Sequence, residues 1–208
     1  MQIPFYFDYA CPWAFFASTR AEAYFARQGV DVDFLPVRLR KLAEPAADGS
    51  GGGLAKMGPR KQKNYIADLL RWAAFCGVEI APNARDHLGV DTAPALRVAM
   101  AAREIGGDGE AFRQLHHAIY RARWCEGMDV TQPELLAKLI EAAKLDAAAV
   151  QTRAQSDACI EALDRQTAEA IERGVFGVPT LFVGNEMFWG NDRFELVRHS
   201  IDAARASS

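Results

Sequence analysis

The chain opens on Gln2 to Asp8, a short apolar and aromatic-rich run that suits a buried strand. Pro12 suits the first turn of a helix, where a missing N–H breaks no hydrogen bond. Helix-favouring residues continue from Trp13 to Arg27 and stop near Gly29. From Val30 to Val37, Val30, Val32 and Phe34 alternate with Asp31 and Asp33, which predicts a second strand. Between Pro59 and Gly174 apolar residues recur at helical spacing. Breaks near Gly77, Gly106-Gly107, Gly127 and Leu145-Asp146 divide this block into five or six helices, and Thr131-Gln132-Pro133-Glu134 reads as a capped helix start. Thr180 to Val183 and Glu186 to Trp189 then read as two strands joined by a Gly184-Asn185 turn. A last helix is expected from about Arg193 to Ala206, with Asn191 and Asp192 available to cap it.

Without the helical block the order is β-α-β-β-β-α, that of a thioredoxin-like α/β fold. Residues 1–40 and 175–208 are thus expected to form one discontinuous domain, and residues 41–174 a large all-helical insertion. Half of the 208 residues are hydrophobic, enough for one sizeable core. The formal net charge of −3 comes without a basic face for nucleic acid, and no apolar run reaches bilayer length. The first ten residues lack a basic start, so no signal peptide is read and a reducing cytoplasm is expected. There Cys11, Cys76, Cys125 and Cys159 are expected as free thiols. Ala46 to Gly58, rich in Gly, Ala and Ser, carries no phosphate-loop pattern and reads as a mobile loop.

Cys11-Pro12-Trp13-Ala14 falls at a strand-to-helix junction. Free N–H groups and the helix dipole favour a thiolate there, lowering a pKa from ~8.5 into the range ~3.5–7.5. The alternative is an inert cysteine in a tight turn. Ala14 replaces the second cysteine of a C-x-x-C pair, so a local dithiol mechanism is unavailable. Cys76, Cys125 and Cys159 read as small core residues. Gly177-Val178-Pro179-Thr180 precedes the third strand, and the residues alone leave open whether Pro179 is cis. Trp189 to Arg193 form another strand-to-helix turn, whose helix N-terminus suits a carboxylate, while Asp192 suits an ammonium group. His116 and His117 are adjacent and point in different directions on a helix, a poor metal pair; His87 and His199 lack ligand-spaced partners, and no metal site is expected. Trp72 and Trp124 read as core residues, with room for some aromatics beside the sulfur.

FYFDYACPWAFF near the start, Pro59-Arg60-Lys61, and GVFGVPTLFVGNEMFWGNDRFEL near the end resemble the family of 2-hydroxychromene-2-carboxylate isomerases and kappa-class glutathione transferases, a DsbA-like branch of the thioredoxin superfamily. The resemblance spans nearly the whole chain. It implies glutathione as cofactor and a homodimer. It also implies that Cys11 faces the glutathione sulfur, and that Val178 before a cis Pro179 pairs with the cysteinyl backbone. Asn191 and Asp192 would hold the γ-glutamyl end, and Lys61 a glycyl or substrate carboxylate. One departure is clear: that family usually has Ser where Cys11 stands, and S–H is a weaker donor than a hydroxyl. Cys-Pro-Trp-Ala also resembles the motif of omega-class glutathione transferases, which run thiol-transfer chemistry.

Three functions follow as expectations. The first is a glutathione-dependent isomerase or transferase acting on a small aromatic or unsaturated carboxylate. The second is a thiol–disulfide oxidoreductase using Cys11 alone. The third is a non-catalytic binding protein on the same fold.

Overall fold

The computed structural model describes residues 1–42, 57–84, 86, 89–107 and 109–206. The expected loop at Ala46 to Gly58 lies, up to residue 56, outside the described residues, as does His87.

Among the described residues, four strands form one mixed sheet in the order β2-β1-β3-β4. Strand β1 (Gln2–Phe7) runs parallel to β2 (Asp31–Pro36), with Phe5 opposite Phe34. Helix α1 (Pro12–Ala26) makes the crossover between them, as a parallel pair requires. Strand β3 (Thr180–Val183) pairs antiparallel with both β1 and β4 (Glu186–Trp189). The β3–β4 turn is tight because Gly184 takes φ 58°, open to a residue without Cβ.

Ile3, Phe5, Tyr6 and Phe7 of β1 are all buried, which explains why this strand reads as a continuous apolar run: both of its faces are covered. Phe7 meets Phe34, Tyr9 and Tyr120 edge-on or tilted, at 6.2, 5.2 and 6.1 Å between centroids. Truncating one such ring to Ala typically costs about 3–5 kcal/mol.

Among the described residues, seven helices lie between β2 and β3. A short α2 (Leu39–Leu42), which the sequence pattern does not reveal, is followed by α3 (Pro59–Phe75), α4 (Ala93–Gly106) and α5 (Glu110–Trp124). Then come α6 (Pro133–Ala142), α7 (Ala147–Gln155) and α8 (Asp157–Glu172). The block does not stand apart from the sheet: α4 and α8 pack on β2, and α3 and α5 on α1. Helix α9 (Phe194–Ala206) closes the fold against β3 and α1. No helix among the described residues is long and apolar enough to cross a membrane.

Candidate active site

Cys11 is the residue just before α1, with extended backbone (φ −101°, ψ 114°). Its position is set by Asp8 at the end of β1. The Asp8 carbonyl accepts the Cys11 N–H at 3.0 Å and the Tyr120 hydroxyl at 3.1 Å. The buried Asp8 carboxylate accepts the N–H groups of Ala10 (2.9 Å) and Leu39 (2.8 Å) and the Thr92 hydroxyl. One side chain thus ties the Cys11 loop to the starts of α2 and α4. Burial raises the Asp8 pKa above the ordinary carboxylate value, although these donors pull it back.

The Cys11 Sγ donates to the Val178 carbonyl at 3.1 Å, across 167 residues of sequence. Val178 precedes a cis Pro179, so the two halves of the fold meet at the sulfur. Around them lies a cavity of about 380 Å³, within the size range of small-ligand sites. Its wall includes Cys11, Trp13, Tyr65, Trp124, Phe176 and Trp189. Trp124 donates its N–H to the Tyr9 carbonyl at 3.0 Å, leaving its ring as an apolar floor. Phe176 and Trp189, both half exposed, lie 4.9 Å apart. Gly177 permits this closure, because a Cβ there would stand 2.8 Å from the Trp189 Nε1.

The thiolate expected at Cys11 is corrected. Burial pushes the thiol up to about 12, and the N–H groups of Ala14 and Trp13 offset only part of this. They close no capping hydrogen bond to the sulfur, so the dipole loses to desolvation. Cys11 is therefore a neutral S–H donor. At pH 7 iodoacetamide should therefore label it very slowly, with the rate rising about tenfold per pH unit. Peptide mapping of labelling between pH 7 and 9 checks this. Fast labelling at neutral pH would restore the thiolate.

Asn191 and Asp192 line a second cavity, of about 570 Å³, together with Arg20, Tyr24, Trp72 and Phe194. The Arg20 guanidinium donates to the Asn191 carbonyl at 2.6 Å and lies 4.9 Å from the Trp72 ring and 4.7 Å from that of Phe194. The Asn191 Nδ2 is buried with no partner in the structure, the condition of a donor awaiting a ligand acceptor. Asp192 is exposed and pairs with Arg193 at 3.5 Å. The two cavities follow one another along α1 and α3: Trp13 and Leu69 line the first, Thr19 and Trp72 the second. Lys61, exposed in the first turn of α3, lines neither. Tyr65 lies one helical turn further along the same face.

The structure therefore joins Cys11 with Val178 and Pro179, and holds Asn191 and Asp192 in the adjoining cavity. Sequence reasoning does not single out Asp8, Tyr65 or Phe176, and it names Trp189 only as the start of the Trp189 to Arg193 turn. The available signals were weak: Tyr65 stands four residues after Lys61, and Phe176 and Trp189 lie inside the C-terminal string. His116 turns inward to Tyr9 and Ser18, and His117 outward to Glu22. All four cysteines are free thiols.

Residues 2–202 match the DSBA-like thioredoxin domain family. A relative named 2-hydroxychromene-2-carboxylate isomerase, from Sphingobium xenophagum, is 31% identical over 196 residues, covering 94% of this chain and 95% of that protein. A solved structure of 2-hydroxychromene-2-carboxylate isomerase superposes with a TM-score of 0.82 at 27% identity, covering 100% of this chain and 97% of that one. The cytosolic disulfide reductase DsbM from Pseudomonas aeruginosa, solved with GSH, shares the fold at a TM-score of 0.65 and 20% identity, covering 97% of this chain and 95% of that one. The chain belongs to the DSBA-like thioredoxin-domain family and, within it, to the family of the 2-hydroxychromene-2-carboxylate isomerases.

Proposed function

We propose that this protein is a glutathione-dependent isomerase or transferase acting on a small aromatic or unsaturated carboxylate, working as a homodimer in a reducing cytoplasm. The observation that carries this reading is the neutral Cys11 S–H, paired to the Val178 carbonyl at 3.1 Å on the wall of an aromatic cavity. A neutral S–H beside a second sulfur is a donor, so it avoids crowding two anions in one site. The unpartnered Asn191 Nδ2 in the adjoining cavity suits a carboxylate of the cofactor, and Asp192 suits its ammonium. Lys61 is retained as a partner for an outward-facing carboxylate. Glutathione, when bound, supplies a thiolate that adds to an electrophilic carbon and can leave unchanged.

The chain's own residues then have distinct tasks. The Val178 carbonyl accepts a backbone N–H from the ligand, which frees the Cys11 S–H to turn toward the incoming sulfur. Trp13, Trp124, Phe176 and Trp189 hold a flat ring and exclude water, which strengthens each polar contact inside. The test is absorbance-monitored isomerisation of 2-hydroxychromene-2-carboxylate with and without reduced glutathione. Turnover only with glutathione is expected; none in either condition overturns the reading.

Asp192→Ala should raise the glutathione Kd on the order of tenfold, while stability falls by no more than about 1 kcal/mol, because its exposed ion pair with Arg193 contributes little. Calorimetric titration beside a denaturation curve separates the two effects; an unchanged Kd would leave Asp192 outside the binding site.

A second reading is thiol–disulfide exchange by Cys11. It is favoured by the presence of sulfur at a position where Ser is usual, and opposed by the burial that keeps the thiol protonated.

A further inference from the structure

We propose that Tyr65 is a catalytic residue of the Cys11 cavity: its phenol donates a hydrogen bond to a substrate carbonyl oxygen conjugated to the reacting double bond. This rests on the isomerase or transferase reading and adds to it a chemical requirement on the substrate.

Among the described residues lining the cavity, Tyr65 carries the one side-chain hydroxyl, and none carries a charge. Its ring meets Trp13 edge-on at 5.1 Å, which fixes it on the α1–α3 side of the cavity. Burial, then the neighbouring Cys11, pushes its pKa up to about 12, with Trp13 as a partial offset. At neutral pH it is therefore a donor. Of the other polar side-chain groups on the wall, the Trp124 N–H is committed to Tyr9, the Trp13 indole bonds to Tyr65 itself, the Trp189 indole belongs to a half-exposed ring, and the Cys11 S–H is left to serve a sulfur.

In 2-hydroxychromene-2-carboxylate the ring C–O bond at C2 first breaks and the 2-hydroxyl proton passes to the departing ring oxygen, which leaves a ketone conjugated to the double bond. Addition of a thiolate sulfur to the far carbon of this C=C–C=O unit forms a C–S bond. The C=C electron pair moves to the carbonyl oxygen, and the former double bond becomes free to rotate. Reversal breaks the C–S bond and restores the π bond, with no net oxidation. Negative charge collects on the oxygen only in between, so a donor placed there acts on the transition state more than on the bound substrate. The proton stays on Tyr65 throughout. An unconjugated carboxylate offers no such oxygen and should not react.

The test compares wild type with Tyr65→Phe, which keeps the ring and its packing. With 2-hydroxychromene-2-carboxylate and glutathione, kcat should fall on the order of 100-fold while the KM for glutathione stays unchanged. A second measurement needs neither turnover nor glutathione: titration with 4-nitrophenolate, a flat oxyanion followed by its absorbance. Wild type should bind it on the order of tenfold more tightly than Tyr65→Phe, the scale of one hydrogen bond to a charged group. If wild type turns over and Tyr65→Phe matches it, the Tyr65 role is overturned and the isomerase reading stands. If wild type does not turn over, that reading fails, and nitrophenolate affinity decides Tyr65: a tenfold difference supports the donor, and equal affinities overturn it.

Discussion

Cys11→Ser should abolish any disulfide reductase activity while leaving glutathione-dependent isomerase or transferase turnover at or above the wild-type level. Thiol exchange requires a sulfur that forms and breaks a bond to sulfur, and an oxygen cannot replace it. Adding an external thiolate to carbon makes no such demand: the residue at position 11 only donates a hydrogen bond. The Cys11 thiol already acts as a donor, to the Val178 carbonyl, and a hydroxyl is the stronger donor. Ser also fits the space of Cys. Both activities should be measured on both proteins, with insulin reduction reporting the exchange. Loss of isomerase turnover together with reductase activity would show that the sulfur itself reacts, and the neutral-donor account of the site would fall.

Acidification from pH 7.5 to pH 5 should destabilise the protein by about 2 kcal/mol through His116 alone. The imidazole is fully buried, against Phe7 and Phe34 at 4.5 and 4.3 Å between centroids. It shares hydrogen bonds with the hydroxyls of Ser18 (2.7 Å) and Tyr9 (3.3 Å). Burial, with a smaller contribution from His117, holds its pKa well below the ordinary histidine value. The sign follows directly. Below about pH 6.5 the unfolded chain binds a proton that the folded one refuses. His116 thus permits full stability above that pH, and stability is lost below it at about 1.4 kcal/mol per pH unit. Asp8, raised by burial, works in the opposite sense above the unfolded carboxylate pKa near 3.8 and softens the total. Denaturant unfolding at several pH values, on wild type and His116→Gln, isolates the histidine. The variant should be less stable at pH 7.5 yet show a shallower acid slope; parallel slopes would remove His116 from the account. The consequence reaches the site, since Tyr9 and Ser18 flank the Cys11 loop.

Much of this architecture is a local property of the chain. The apolar run of β1, the alternation of β2, the Gly184 turn and the helical breaks near Gly77, Gly127 and Leu145 reflect backbone geometry and periodic burial, which operate over a few residues. Strands β3 and β4 fall where the pattern predicts, Thr180–Val183 and Glu186–Trp189. Cys11 before Pro12, and the lack of a partner at Ala14, were equally legible. The four-residue α2 was not, because one helical turn is too short to display a period; its first N–H depends on Asp8, 31 residues away.

The site followed the same division. Sequence alone placed Cys11 at a helix start, because a helix start is a local feature. It could not decide the protonation of that sulfur. The helix start argues for a thiolate, but desolvation is set by neighbours such as Tyr65, Trp124 and Val178, which arrive from distant segments. Nor could periodicity distinguish the aromatics of the core from those of the cavity: Trp124 and Phe15 both read as buried faces, and only Trp124 lines the cavity beside Cys11. Local pattern thus determined the elements and the place of Cys11 at a helix start. The meeting of residues 11, 65, 124, 178 and 189, and the low-dielectric pocket that keeps Cys11 neutral, were decided by tertiary packing, because desolvation depends on everything that surrounds a group and not on its neighbours in sequence.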